Sequence, residues 1–478
     1  MIDVLTPAEM RAADAQAVAA SGVEKLMRNA GGAIAAYVRE HLPRGSRIVA
    51  FAGPGNNGGD ARAAFAQLEG YDCALVAPDE MPHDDASARA MLEGAALAID
   101  ALFGTGARLP LPERYAPAIR ALDARERRVL AIDIPSGVDA LTGAVPGDAV
   151  RASATITLAA MKPGLLFPPA REHCGELWIA RIGIDEATLH AHAASFAALD
   201  DAGLLALLPH RADGADKRSA GAPLIIAGSQ QFPGAAVLCA RGAARAGAGY
   251  VTVATAPGAA ATLRTHLIEQ VVVEIADDLL DIAQRNSAAG IGPGLGLDDR
   301  TGEIVRGFVE RCDLPMVIDA SALFHFGKHL DLLRGKRCVL TPHEGEFARL
   351  SGLGTVAPGT RVERLREFTS RTGITTLLKG PATLIDDGAR TYINASGTSV
   401  LATAGTGDVL TGMIATLLGQ GLSPLDAACA GAYWHGLAAR YCASARPVGV
   451  VAGDLPEALA ATLRSLAPTT GALRRVYA

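Results

Sequence analysis

The sequence predicts an α/β protein of two domains built on parallel sheets, and three observations predict it. Short aliphatic runs alternate with Ala- and Leu-rich stretches of helical length throughout. The runs are apolar at nearly every position, as strands covered on both faces are. At 478 residues the chain also exceeds one ordinary domain of about 150 residues.

The strands of the first half are read at RIVAFAG (47–53), CALVAP (73–78), LAID (97–100), VLAIDIP (129–135), ATITLA (154–159) and LWIARIGI (177–184). Residues 185–221 lose this rhythm and turn Ala- and Asp-rich, which places a domain boundary near residue 205. The second half resumes with PLIIAGS (223–229), YVTVAT (250–255), VVVEI (271–275), PMVIDA (315–320), CVLTP (338–342) and TTLLKG (375–380). Domains of 1–205 and 206–478 follow. Residues 409–425 carry no charge, but Gly412, Gly419, Gly421 and Pro424 interrupt them, so a buried helix is predicted and not a membrane span of about 20 apolar residues. The charged VERLREF (362–368) reads as a solvated helix face.

Half of the residues are hydrophobic and a fifth are charged, as in globular proteins. A net charge of −6 gives no electrostatic reason for a nucleic-acid or anionic-membrane partner. Phosphorylated ligands must therefore be held by local devices. The seven cysteines, Cys73, Cys174, Cys239, Cys312, Cys338, Cys429 and Cys442, are scattered and never in a CxxC pair, which predicts reduced, mostly buried thiols in a cytoplasm. The charged opening MIDVLTPAEMRAADAQ lacks the apolar core of a secretory signal. A cytoplasmic homo-oligomer working on small molecules is expected.

Three strand ends of the first half carry chemistry. In AFAGPGNNGGDARAA (51–65) a strand meets a helix through Gly53, Gly55, Gly58 and Gly59, a seat for phosphate or pyrophosphate at the free N–H groups of a helix start. The competing reading is a plain turn capped by Asn56, Asn57 and Asp60. IDALFGTG (99–106) puts Asp100 before a glycine turn, and IDIPSGVD (132–139) does the same for Asp133 and Ser136. Ligands of open parallel sheets sit beyond such strand ends. Asn57, Asp100 and Ser136 offer hard oxygens to an alkali or alkaline-earth ion, with capping the alternative for each.

In the second half, QFPGAAVLCARGAARAGAGYVTVAT (231–255) is a glycine-punctuated helix joined to a strand, and GIGPGLG (290–296) is a flexible loop after a strand-like segment. LTPHEGEFARL (340–350), LLKGPATLI (377–385) and LATAGTGDVLTG (401–412) follow. In the last of these Gly405 and Gly407 flank Thr406, and Asp408 stands where N–H groups would hold phosphate oxygens. An aspartate there is placed to take the proton of a hydroxyl attacking that phosphate. An N-cap is its structural alternative. Lys379 beside Gly380 is a candidate phosphate contact or a surface lysine. His343, before Glu344 and Glu346, opens a helix in a capping-like pattern and is equally a candidate ligand contact.

The ordered set GPGNNGGD, DALFGTG, DIPSGVD, FPGAA, GPGLG, TPHEGE, KGPAT and AGTGD resembles the bifunctional NAD(P)H-hydrate repair family over residues 10–460. The resemblance implies a Rossmann-like three-layer sandwich that epimerises R and S hydrates at nicotinamide C6 with K⁺ bound, fused to a ribokinase-like domain. The latter dehydrates the S hydrate at the expense of ADP, with Mg²⁺ accompanying the nucleotide, giving AMP and phosphate. By motif, the first site's hydrate contacts are Asn56, Asn57, Gly58, Gly59, Asp60, Gly104, Thr105, Gly106 and Asp133, with Asp133 the acid/base. K⁺ falls to Asn57, Asp100 and Ser136. In the second site the hydrate meets Ala235, Gly294, His343 and the catalytic Asp408. The nucleotide meets Lys379, Gly380, Pro381, Ala382, Thr383, Gly405, Thr406 and Gly407.

Three positions depart from the family pattern: Ala61 replaces a glycine, Asp216 precedes Lys217 where a histidine is common, and Arg28 replaces an acidic residue. Two other functions compete. One is a ribokinase-like small-molecule kinase, recognised by an accumulating phosphorylated product; the other makes the first domain a non-catalytic nucleotide-binding or scaffolding module, against which Asp133 and the cation set count.

Overall fold

The computed structural model describes residues 1–211, 213–214, 216–275, 279–354, 358–446, 448–466 and 472–477. It divides into two compact units, one of residues 1–200 together with the C-terminal strand Leu473–Tyr477, the other beginning at Asp201. The sequence reading places its border near residue 205, and the return of the C-terminal strand to the first unit has no counterpart in it.

The first unit carries a seven-stranded sheet in the order Leu473–Tyr477, Glu176–Ala180, Ala154–Leu158, Val129–Ile132, Leu97–Ala101, Arg47–Ala52, Asp72–Val76. All neighbours are parallel except the first pair. Alternation along Arg47–Ala52 explains why its sequence is apolar throughout. Ile48 and Ala50 join a core with the helices Pro7–Ser21, Val23–His41 and Asn56–Phe65, whereas Val49 and Phe51 join a second core with Asp85–Met91 and Ala116–Ala121. Helices on both faces make the three-layer sandwich.

The second unit holds nine strands in the order Thr391–Asn394, Thr383–Asp386, Thr375–Leu378, Cys338–Leu340, Met316–Ile318, Ala288–Ile291, Pro223–Ile226, Thr252–Thr255, Val271–Glu274. Seven are mutually parallel; the first two form an antiparallel extension that the expectation of parallel sheets omits. Thr391–Asn394 is short and carries Thr391 and Asn394, so no aliphatic run marks it.

The uncharged stretch from 409 lies in the buried helix Thr406–Gly419, which packs tightly on Pro233–Arg245. A Cβ at Gly412 would overlap the Cys239 carbonyl, so only glycine permits that approach. Among the described residues no helix is long and apolar enough to cross a membrane. All seven cysteines are unpaired and six are buried. The charged run at 362–368 lies on the helix Arg361–Thr372, whose Leu365 and Phe368 are buried.

Candidate active sites

In the first unit a cavity of about 570 Å³ opens at the carboxyl ends of the parallel strands. Strand Arg47–Ala52 feeds through Gly53–Gly55 into the helix Asn56–Phe65, whose start carries no side-chain cap. Its leading N–H groups remain available to a ligand. The capping alternative does not describe Asn57, because its amide donates instead to the Ile132 carbonyl at 2.9 Å. Asn56, Asn57, Asp60, Gly104, Thr105, Gly106 and Asp133 all line the cavity. Gly58 and Gly59 do not: a Cβ at Gly58 would overlap the Gly53 carbonyl, and one at Gly59 would meet the Met27 side chain at 2.7 Å. They serve close packing.

Asp133 sits in the left-handed region at φ 68°, a strained position for a non-glycine residue. Its Oδ1 accepts from Lys162 Nζ at 2.6 Å, and its Oδ2 from the Thr105 N–H at 3.1 Å. Burial alone would raise the carboxyl, but the Lys162 ammonium outweighs it and holds Asp133 below the usual carboxylate range. Lys162 is 1% exposed, and its other partners are Thr157 Oγ1 at 3.0 Å and the Leu158 carbonyl at 2.7 Å. All three ammonium protons are thereby used. Asp60 is different: burial, reinforced by the charges of Asp133 and Asp14, pushes it up to about 8.

Asp100 and Ser136 lie beneath this cavity and not on its wall. The Ser136 hydroxyl and N–H both donate to the Asp100 carboxylate at 2.7 Å, and the Leu102 N–H adds a contact at 3.2 Å. Asp100 is wholly buried with no cationic side chain against it, and burial lifts it to about 6 despite these bonds. Among the described residues no cluster of three or more His, Cys, Asp or Glu side chains could hold a metal. A weakly held alkali ion asks instead for neutral and singly charged oxygens, and the Asn57, Asp100 and Ser136 oxygens fit that demand. None of the departures touches the cavity. Ala61 is buried in the core, Arg28 is exposed, and Asp216 in the other unit caps its own turn through the Arg218 and Ser219 N–H groups.

In the second unit the site forms where Met316–Ile318, Ala288–Ile291 and Thr375–Leu378 end against the start of helix Thr406–Gly419. Gly405, at φ 91°, is the N-cap and offers no side-chain cap. Asp408 follows in the first turn, and among the described residues its carboxylate has no hydrogen-bond or ion-pair partner. Burial and the nearby Asp319 charge push it up to about 7, with Lys379 opposing them. Lys379 donates to Asp319 Oδ1 at 2.8 Å and lies 3.9 Å from Glu346, so it is held in the site and is not a surface lysine. Thr411 donates to the other Asp319 oxygen at 2.7 Å. A Cβ at Gly407 would lie 3.5 Å from Lys379 Nζ.

Ala235 and Gly294 are brought together, since a Cβ on Gly294 would meet the Ala235 methyl at 2.8 Å. His343 is the N-cap of Glu344–Ser351, its Nδ1 accepting from the Gly345 N–H at 3.0 Å and, at 3.3 Å, from that of Glu346. Residues 379–382 form the turn between two antiparallel strands, the second of which begins at Thr383. Arg361 beneath it donates to the Ala382 carbonyl at 2.9 Å and to that of Lys379 at 3.3 Å. Sequence reasoning missed Lys162, Asp319, Thr411 and Arg361. Asp319 had a signal: PMVIDA ends a strand in aspartate, as do LAID and VLAID.

A parallel three-layer sandwich with a charged cavity at its strand ends, joined to a unit that sets an unpartnered carboxylate at an uncapped helix start, defines a two-domain α/β enzyme equipped for phosphorylated metabolites. Residues 223–461 match the NAD(P)H-hydrate dehydratase family, and residues 23–96 and 78–164 match the family described as YjeF-related protein N-terminus. The bifunctional NAD(P)H-hydrate repair enzyme of Mycobacterium tuberculosis is 37% identical over 88% of this chain and 89% of its own. That of Pyrobaculum aerophilum is 34% identical over 98% and 99%. A ribokinase-like superfamily protein from Enterococcus faecalis superposes with a TM-score of 0.52 at 27% identity, covering 57% of this chain and 96% of that one. The chain belongs to the bifunctional NAD(P)H-hydrate repair enzyme family, and its second unit is ribokinase-like.

Proposed function

We propose that the protein repairs hydrated nicotinamide nucleotides: the first unit equilibrates R and S NAD(P)H hydrates, and the second dehydrates the S form at the expense of ADP. The observation that carries the reading is Asp408, an unpartnered carboxylate of raised affinity for protons beside the uncapped N-terminus of its helix. The C6 hydroxyl gives its proton to Asp408 as its oxygen attacks the β-phosphorus of ADP, and AMP leaves. Phosphate then departs from C6, driven by the N1 lone pair, and loss of a C5 proton restores the dihydronicotinamide. Hydroxide would be a poor leaving group; phosphate is a good one.

Gly405 and Gly407, on either side of Thr406, hold phosphate oxygens through N–H groups, while Lys379 and the turn to Thr383 hold the nucleotide. Ala235, Gly294 and His343 seat the hydrate. Mg²⁺ arriving on the nucleotide would need at most one or two protein carboxylates, which Asp319 and Glu346 can offer, and would neutralise phosphate charge. In the first unit Asp133 is an acid/base group, Asn56, Asn57, Asp60 and Gly104–Gly106 contact the hydrate, and Asn57, Asp100 and Ser136 would hold K⁺, which would offset the Asp100 charge. The seven unpaired cysteines support a cytoplasmic setting. Self-association into a homo-oligomer completes the reading and is measured by sedimentation.

The test is to incubate the full chain with mixed R and S NADH hydrate, ADP, Mg²⁺ and K⁺. Regenerated NADH should appear by absorbance, mole for mole with AMP and phosphate, until both epimers are consumed. A phosphorylated product that accumulates without NADH selects the kinase instead.

A further inference from the structure

We infer that Asp60 is the second acid–base group of the epimerase, giving a proton to the departing C6 oxygen while Asp133 takes one from the incoming water. The inference rests on the epimerase reading above and adds a catalytic residue to it. Asp60 is 5% exposed and lines the cavity, yet among the described residues its carboxyl has no hydrogen-bond or ion-pair partner. Its oxygens are not sealed in the core but reach the cavity, where a bound hydroxyl can meet them in place of water. Asp133 is built the other way, saturated by Lys162 and the Thr105 N–H. One cavity thus holds two carboxyls whose surroundings push their proton affinities apart, the arrangement that separates acid from base.

The step balances. Asp60 protonates the C6 hydroxyl, the C6–O bond breaks as the N1 lone pair forms an iminium, and water leaves. A second water then adds to the opposite face of C6 and passes its proton to Asp133. An iminium carbon is electrophilic enough for a weak base to suffice. The reverse inversion starts from the tautomer with the proton on Asp133, so both directions use one protonation state of the pair and share one pH profile. The charged groups facing Asp60 are Arg11 and Asp14 on Pro7–Ser21, with Asp133 and Lys162 across the cavity; Val23–His41 presents only apolar side chains there.

The test follows inversion of purified S hydrate by the full chain without ADP, which leaves dehydration idle, with R hydrate measured chromatographically. For the parent, kcat/KM should fall with a midpoint near pH 8 as Asp60 loses its proton. Asp60→Asn, matched to the parent in melting temperature, should lose about 10²- to 10⁴-fold and with it the alkaline limb. Asp60→Glu should keep the limb at reduced rate. A parent profile flat from pH 7 to 9.5, or a folded Asp60→Asn variant inverting within threefold of the parent, overturns the inference alone. If the parent inverts neither epimer, the epimerase reading itself fails.

Discussion

Asp408→Asn should make the protein slower and more stable at once. The side chain is half-buried, and its proton affinity is raised from the ordinary 3.8 to about 7. Each unit corresponds to 1.36 kcal/mol, so ionising Asp408 in the folded state costs up to about 4 kcal/mol relative to the unfolded chain. Partial solvent access reduces this to an order of 1–3 kcal/mol. The sign follows from linkage: the folded state binds the extra proton, so the parent loses stability as pH rises from about 4 to about 7 and regains it on acidification. Asparagine carries no charge and pays none of this.

At pH 8 the variant should therefore melt roughly 2–12 °C above the parent, at about 2–4 °C per kcal/mol for a domain of this size. The two should nearly converge at pH 4, where the folded parent carboxyl is protonated and only about half of it ionises on unfolding. Dehydration should fall about 10²- to 10⁴-fold, as for a lost general base, while parental kcat/KM rises with pH through about 7. Scanning calorimetry at pH 4 and 8 and NADH regeneration from S hydrate read both quantities. Near-parental turnover in a folded variant refutes the base assignment. An unchanged melting temperature at pH 8 refutes the electrostatic account, since a mere cap tolerates asparagine equally at every pH.

Three further outcomes are expected. Asp100→Ala should strip K⁺ dependence from epimerisation and abolish the rise in melting temperature that K⁺ gives over Na⁺, leaving dehydration intact; an unchanged K⁺ response returns Asp100 to a structural hydrogen-bonding role. Lys162→Met leaves Asp133 as a buried uncompensated charge, so denaturant unfolding of the first unit should weaken by about 3–5 kcal/mol with epimerisation lost, and a stable, active variant would refute the ion-pair account. Truncation after residue 466 removes the edge strand with its buried Val476 and Tyr477, worth about 1.5–3 kcal/mol each, so the first unit should melt lower while dehydration persists; equal melting of both forms would show the strand to be dispensable.

The strands of both sheets were legible where aliphatic residues run together, because burial on both faces leaves a signature in sequence. Leu473–Tyr477 and Thr391–Asn394 were not, since each carries polar residues, Arg474 and Arg475 in the former, on a strand at or near a sheet edge. Motif residues such as Asn57, Asp100 and Asp408 could be named because glycine turns single out strand ends and helix starts. Their partners could not. Lys162 and Asp319 meet Asp133 and Lys379 across 29 and 60 residues of chain, a pairing that only the parallel order of strands creates. Spacing also cannot tell a glycine that faces a ligand from one that admits a neighbour, which is why Gly58 and Gly59 were read as seat and prove to be packing.

The strand Leu473–Tyr477 also sets a timetable for biosynthesis. It completes a sheet whose other strands end at residue 180, yet it is translated only after residues 201–466. At about 5–20 residues per second, roughly 15–60 s pass between residue 180 and the strand. Throughout that interval Glu176–Ala180 presents an unpaired edge, the feature on which nascent chains aggregate or borrow a strand from a neighbour. The first unit to emerge is thus the last to be finished, and the second is in effect an insertion within it.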